Sequence, residues 1–174
     1  MKKSIFYFVF IIFSTSFTYA QEFNVGTNLI NAGVGFGGNF GSYTTSSQSL
    51  GYSIGFERGV WEVPGPGVVS LGAYLGRKTY SYNYLDSNDK WSYTIVGVRG
   101  AYHYNGLDVD NLDVYGGVMA SYNILSFTGS RNFGSKPSAT GFIGGRWFFA
   151  ENFAVFAEAG YGVSYLTVGA TIRL

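Results

Sequence analysis

The sequence predicts an all-β fold: an eight-stranded antiparallel up-and-down transmembrane β-barrel. Three observations carry that expectation. The first is composition. The chain has 26 glycines, 15 tyrosines and 16 phenylalanines in 174 residues, and only 12 % charged residues, against about 25 % in an ordinary soluble domain. The second is rhythm. Eight segments alternate with a period of two, most of them 10–13 residues long. A tilted strand needs about 9–11 residues to cross a bilayer, whereas strands of globular proteins average about 5–6. The third is inversion: the uncharged apolar face alternates with a face of glycine and a few charges.

Before the strands comes a leader. Residues 1–20 read MKKSIFYFVFIIFSTSFTYA: a basic start at Lys2 and Lys3, an apolar run from Ile5 to Phe13, then small and polar residues. This is the pattern of a secretory signal, and the run is too short for a membrane-spanning helix. Cleavage is expected after Ala20, leaving 21–174 as one barrel domain with nine basic and ten acidic residues. That balance gives no electrostatic case for nucleic acid. The chain has no cysteine, which excludes a disulfide framework and a thiolate nucleophile.

The strands are expected at 28–38, 49–58, 68–80, 91–104, 112–126, 139–149, 153–162 and 165–174. Their first face carries Ile30, Ala32, Val34 and Phe36, then Leu50, Tyr52, Ile54 and Phe56, and continues in this way to Ile172 and Leu174. The other face carries glycine at 33, 35, 37, 51, 55, 72, 76, 97, 117, 144, 160 and 169, together with Glu57, Arg99, Asp113, Arg146, Glu158 and Arg173. Segment 95–104, IVGVRGAYHY, shows the pattern in small: Arg99 and His103 share a side with Gly97, and Val96, Val98 and Tyr102 share the other. Water would dress a strand with Lys, Glu, Ser and Thr. Glycine and paired charges fit the cramped interior of a small closed barrel, so the apolar face points to lipid. Closure also satisfies the backbone at every edge, as lipid demands.

Polar, glycine-rich loops are expected at one end, near 39–48, 81–90 and 127–138, with a tight turn at 162–165. Turns at 59–67, 105–111 and 150–152 lie at the other. Aromatic residues near the strand ends suit interfacial belts: Tyr80, Tyr82, Tyr84, Trp91 and Tyr93 at the loop end, Trp61, Tyr102, Tyr104 and Trp147 at the turn end.

On the segments GTNLINAGVGFGG, IVGVRGAYHY, LDVYGGVMASYN and FAEAGYGVSYLTVGATIRL, the chain resembles the short outer-membrane β-barrel proteins of Gram-negative bacteria, the OmpA/OmpX type. The resemblance covers the whole of 21–174. It implies location in the cell outer membrane, both chain ends and the short turns facing the periplasm, and outer-membrane lipid and the assembly machinery as partners of a monomer. One departure is Leu174, where such barrels commonly end in an aromatic residue that the assembly machinery reads.

The polar residues allow several chemistries. A hairpin centred near 152 puts Arg146 opposite Glu158, one centred near 108 puts His103 opposite Asp113, and Glu57 and Arg173 lie at similar depth. With Arg99 they form either an ion path or a structural plug. Unpaired buried charge is costly, which favours the plug, and eight strands are too narrow for a general porin. Catalysis would need His103, the single histidine, with a serine and an acid; Asp113 could orient it, but no serine is read at its depth. The alternatives are therefore a lipid-modifying barrel enzyme and a soluble lipocalin-like binder, whose faces would be reversed. Neither metal nor cofactor is expected: the glycines do not open a helix, as a phosphate loop must. Loops 81–90 and 127–138 have the length and aromatics for a cell-surface ligand.

Overall fold

The computed structural model describes residues 23–38, 47–84, 87–107, 109–128 and 135–174; the leader at 1–20 and parts of the three long loops lie outside them. Eight strands follow in order: β1 (Asn28–Phe36), β2 (Gly51–Val63), β3 (Gly67–Tyr84), β4 (Ser87–Tyr104), β5 (Leu112–Thr128), β6 (Lys136–Ala150), β7 (Phe153–Gly160) and β8 (Leu166–Arg173). Each pairs antiparallel with the next, and β8 returns to β1, so the sheet closes. A two-residue strand, Ser47–Gln48, continues the β2 side of β3. No helix occurs among the described residues.

The barrel is taller on one side. β3 and β4 have 18 residues each and β5 has 17, whereas β7 and β8 have 8 and β1 has 9. The loop expected at 81–90 is therefore mostly strand, because β3 runs to Tyr84 and β4 resumes at Ser87. The outward side chains change character along this extension. Leu75 and Val96 are followed by Arg77 and Thr94, then by Thr79 and Ser92, whose hydroxyls bond at 2.9 Å. Ser47 and Ser81 do the same at 2.7 Å. Above the lipid an outward face has no need of apolar residues, and the ladder continues on hydroxyl pairs. At the other end β2 runs to Val63 through a bulge between Gly59 and Trp61, which shrinks the expected 59–67 turn to 64–66.

The inward–outward alternation holds on every strand. Val98, Val118, Ile143 and Val155 are more than half exposed on the outside, and lipid would cover them. Trp61, Tyr102, Tyr104 and Trp147 all point outward near the turn end, with Phe149 and Phe153 beside them. Trp91 corrects the expectation at the loop end: it is 8 % exposed and faces inward, its ring stacked on Tyr80 at 5.7 Å. Because β3 and β4 rise past the lipid boundary, Tyr80 as well as Trp91 turns inward at the mouth rather than joining the belt. Among the described side chains, the outward belt there consists of Phe36, Tyr52, Tyr122, Tyr161 and Tyr165; those of Tyr82 and Tyr84 lie outside the described ones. Tyr52 and Trp61 stand nine residues apart on one strand, which matches the reach of a tilted bilayer crossing, about 9–11 residues.

Rings and glycines together fill the interior. Inward aromatics Tyr74, Tyr115, Phe142, Phe148 and Phe156 are buried. A Cβ on Gly144 would lie 2.7 Å from the Tyr115 ring, and one on Gly117 2.7 Å from the Phe142 ring. On Gly72 or Gly169 a Cβ would meet the carbonyl oxygen of the neighbouring strand, at 2.2 and 2.1 Å. Some inward glycines thus admit rings and others let the wall curve. At the loop end the 161–165 turn folds into the mouth and buries Val163 and Ser164. Lys78, also buried, donates to the Gly37 carbonyl. Across the β8–β1 seam, Thr171 Oγ1 donates to Asn31 Oδ1 at 2.7 Å inside the barrel.

Candidate functional site

Every strand but β1 aims at least one charged or hydroxyl side chain at the turn half of the lumen or at its middle, β8 through Thr171 and Arg173. Glu57 comes from β2, Ser70 from β3, Arg99 and His103 from β4, Asp113 from β5, Arg146 from β6 and Glu158 from β7. Four of them close a ring. Arg146 Nη2 donates to Glu57 Oε2 at 2.6 Å, and Nη1 donates to Asp113 Oδ2 at 2.7 Å. His103 spans the same two acids, with Nε2 2.5 Å from Glu57 Oε1 and Nδ1 2.7 Å from Asp113 Oδ1. An ionised carboxylate can only accept a hydrogen bond. Both imidazole nitrogens therefore donate, and the ring alternates two cations with two anions. Its side chains are at most 1 % exposed.

A second pair sits nearer the middle of the lumen. Arg99 Nη2 donates to Glu158 Oε2 at 2.6 Å, and the Tyr115 hydroxyl donates to the same oxygen at 3.2 Å. The three inward arginines each lie over an aromatic ring: Arg99 on Phe142 at 3.8 Å, Arg146 on Tyr115 at 4.1 Å and Arg173 on Phe148 at 4.5 Å. Rings can hold a cation through the negative face of the π-system where water is excluded.

The partners differ from the expected ones. Arg146 stands opposite Phe156, and Glu158 opposite Gly144, so Arg146 pairs with Asp113 and Glu57 while Glu158 pairs with Arg99. His103 stands opposite Tyr115 and still reaches Asp113. In each hairpin the true centre lies one residue from the expected one, which moves a partner by two positions and leaves its face unchanged. Glu57 and Arg173 do share a row, both facing Leu29 across β1.

Sequence reading missed two members of the site. Ser70 Oγ donates to Glu57 Oε1 at 2.9 Å and lies 3.1 Å from His103 Nε2. Ser70, His103 and Asp113 thus make the contacts of a serine triad. The signal was present, since Val68 to Gly72 alternates, but β3 and β4 had to be put in register to bring Ser70 to Ala101. The second is Phe23, whose ring stacks on His103 at 3.6 Å between centroids and 11° between planes. It precedes β1 and obeys no strand periodicity. Among the described residues no His, Cys, Asp and Glu group is arranged to hold a metal ion.

No protein-family model matches the sequence, and no curated protein matches it either. Solved structures do. The outer membrane protein OprG from Pseudomonas aeruginosa aligns with a TM-score of 0.58 at 12 % identity, over 90 % of this chain and 99 % of that one. A de novo designed transmembrane β-barrel aligns at 0.55 and 19 % identity, over 88 % of this chain and 100 % of that one. The Yersinia pestis outer membrane protein Ail, in a phospholipid bilayer nanodisc, aligns at 0.50 and 17 % identity, over 86 % of this chain and 99 % of that one. At these identities the likeness is one of fold: the chain is an eight-stranded antiparallel up-and-down transmembrane β-barrel.

Proposed function

We propose that the protein is an outer-membrane barrel, exported by a leader at 1–20, whose lumen is a sealed core and whose work is done by the surface at its loop end. The observation that carries this reading is the closed ring of Glu57, His103, Asp113 and Arg146. A conducting pore needs charges that water and ions can reach; here each charge is engaged by two opposite neighbours, and Arg146 and His103 also by an aromatic ring. The tall β3–β4 hairpin then acts as a rigid support for the loops beside it, which suits recognition at the cell surface. Purified protein in planar bilayers is expected to show no steady conductance, and a stable open channel overturns the sealed reading. The mature chain is expected in the outer-membrane fraction, with heat-modifiable gel migration; a folded, detergent-free periplasmic form overturns the location. Tags at 127–138 should be reachable on intact cells and tags at 105–111 should not.

A catalytic reading has the Ser70–His103–Asp113 contacts in its favour. Chemistry weighs against it. The general base of such a triad must accept the serine proton on Nε2, and in this ring Nε2 donates to Glu57 Oε1. Ser70 and His103 are also wholly buried, with no room for a substrate carbonyl. Retention of barrel stability and loss of any esterase signal on Ser70→Ala would reopen that reading.

A further inference from the structure

The turn end of the lumen is covered by the segment ahead of β1, and the details of its seat are those of a built fitting. Phe23 is 1 % exposed and packs in one cluster with Leu29, Val68, Phe148 and Ala154. Its ring lies flat on His103, so it covers the ion ring directly. Its carbonyl accepts a bond from Asn105 Nδ2 at 3.0 Å, at the end of β4. Behind it the chain turns sharply, with Thr27 N donating to the Asn24 carbonyl at 3.1 Å and Asn24 N to Thr27 Oγ1 at 3.2 Å. This turn is laced to β2: Gly26 N donates to the Gly59 carbonyl at 2.9 Å, and Gly59 N to the Thr27 carbonyl at 3.0 Å. Position 59 has to be glycine for the fit, because a Cβ there would lie 2.3 Å from the Asn24 carbonyl oxygen and 3.1 Å from the Phe23 ring.

We infer that residues 23–27 form a stopper: Phe23 is the plug that closes the turn-end mouth and keeps water off the Glu57–His103–Asp113–Arg146 ring. This deepens the reading of the lumen as sealed and rests on it. The ion pairs alone do not exclude water from below. Within the lumen they offer carboxylate oxygens and guanidinium edges that water would readily solvate, and an aromatic ring laid over the imidazole removes that access. The stopper also gives the lumen a direction. Its loop-end closure is made of strand residues and a hairpin turn, fixed at both ends, whereas its turn-end closure hangs on a segment anchored by one strand and a few backbone bonds, the kind of element that opens locally at low free energy.

The chain has no cysteine, so a single reporter is clean. Ala154→Cys places a thiol in the Phe23 cluster at the cost of one sulfur atom. It is labelled with a membrane-impermeant maleimide on the refolded full-length barrel in detergent micelles, with Glu151→Cys, exposed on the adjacent turn, as the reference for free access. The expected result is slow labelling of Ala154→Cys, accelerated by about tenfold or more when Phe23→Ala is added, as the loss of a locally protecting segment should produce. Gly59→Ala, which leaves Phe23 in the chain and blocks its seat, should act the same way, and Phe23→Trp should restore protection. Labelling that stays slow in both Phe23→Ala and Gly59→Ala overturns the stopper. So does labelling of Ala154→Cys alone at the reference rate. In either case a barrel that remains non-conducting in planar bilayers keeps the sealed reading, and the two failures are told apart.

Discussion

The two halves of the lumen solve the same problem with different connectivity. In the turn half, Arg146 and His103 each bridge Glu57 and Asp113, so every charge of that ring has two opposite neighbours. Toward the middle, Arg99 and Glu158 have one another, with Glu158 16 % exposed and helped by the Tyr115 hydroxyl. Higher still, Lys78 is held by a backbone carbonyl and lies near the Tyr80 ring. The density of charge pairing falls from the turn end to the loop end, although Lys78 is as buried as the ring. A ring in which each member has two partners cannot lose one member quietly, because two others are left short. A lone pair can be removed as a pair.

That comparison can be broken by reversible unfolding in lipid or detergent. The largest effect is expected for Arg146→Ala, which leaves Glu57 and Asp113 sharing one cation. Breaking a fully buried pair this way costs about 3–5 kcal/mol. Glu57→Gln or Asp113→Asn should recover part of it, and Glu158→Gln, at the other pair, should recover little. Next comes the outer face: Val98→Arg, beside Arg99 in sequence but turned to lipid, should cost about 2–4 kcal/mol near the midplane, with no internal partner to relieve it. A silent Val98→Arg would mean that the two faces are reversed.

Smaller effects separate the glycines. Gly72→Ala drives a methyl against the Phe56 carbonyl and should cost about 1–3 kcal/mol, as overpacking does. Gly145→Ala, outward with its nearest atom 3.9 Å from the Cβ position, should be close to neutral. The Arg99→Ala and Glu158→Ala cycle is expected to give a coupling of about 1 kcal/mol, at the low end for a contacting pair. A coupling as large as the Arg146 loss would show that the halves do not differ in the way described.

Much of this was legible because strand faces depend on parity alone. Ile54, Gly55, Phe56 and Glu57 alternate whatever the register, and their sides follow from composition. Partners depend on register, and register depends on turns. The placement of the turn and a bulge between Phe148 and Ala150 together moved Arg146 two positions away from Glu158. Ring–glycine complementarity, as between Tyr115 and Gly144, links residues on different strands and has no trace in one strand's periodicity. Trp91 was misplaced because a belt position was inferred from closeness to a strand end, and β4 runs past the lipid boundary to Ser87. Phe23 left no signal, since a single aromatic ahead of the first strand has no period to obey.

The seam between β8 and β1 has a consequence for time as well as structure. Seven of the eight strand pairings join neighbours in sequence and can zip as hairpins. The eighth, in which Leu29 meets Arg173 and Ala32 meets Ala170, unites the two ends of the sheet. The loop it closes is almost the whole chain, and pairings of such long range form slowly. Until it forms, the sheet is an open ribbon with two bare rows of amides and carbonyls, a form the hydrocarbon interior does not tolerate. Full insertion and ring closure are thus one event. The buried Thr171–Asn31 bond lies across this seam, so it cannot form before the ring closes.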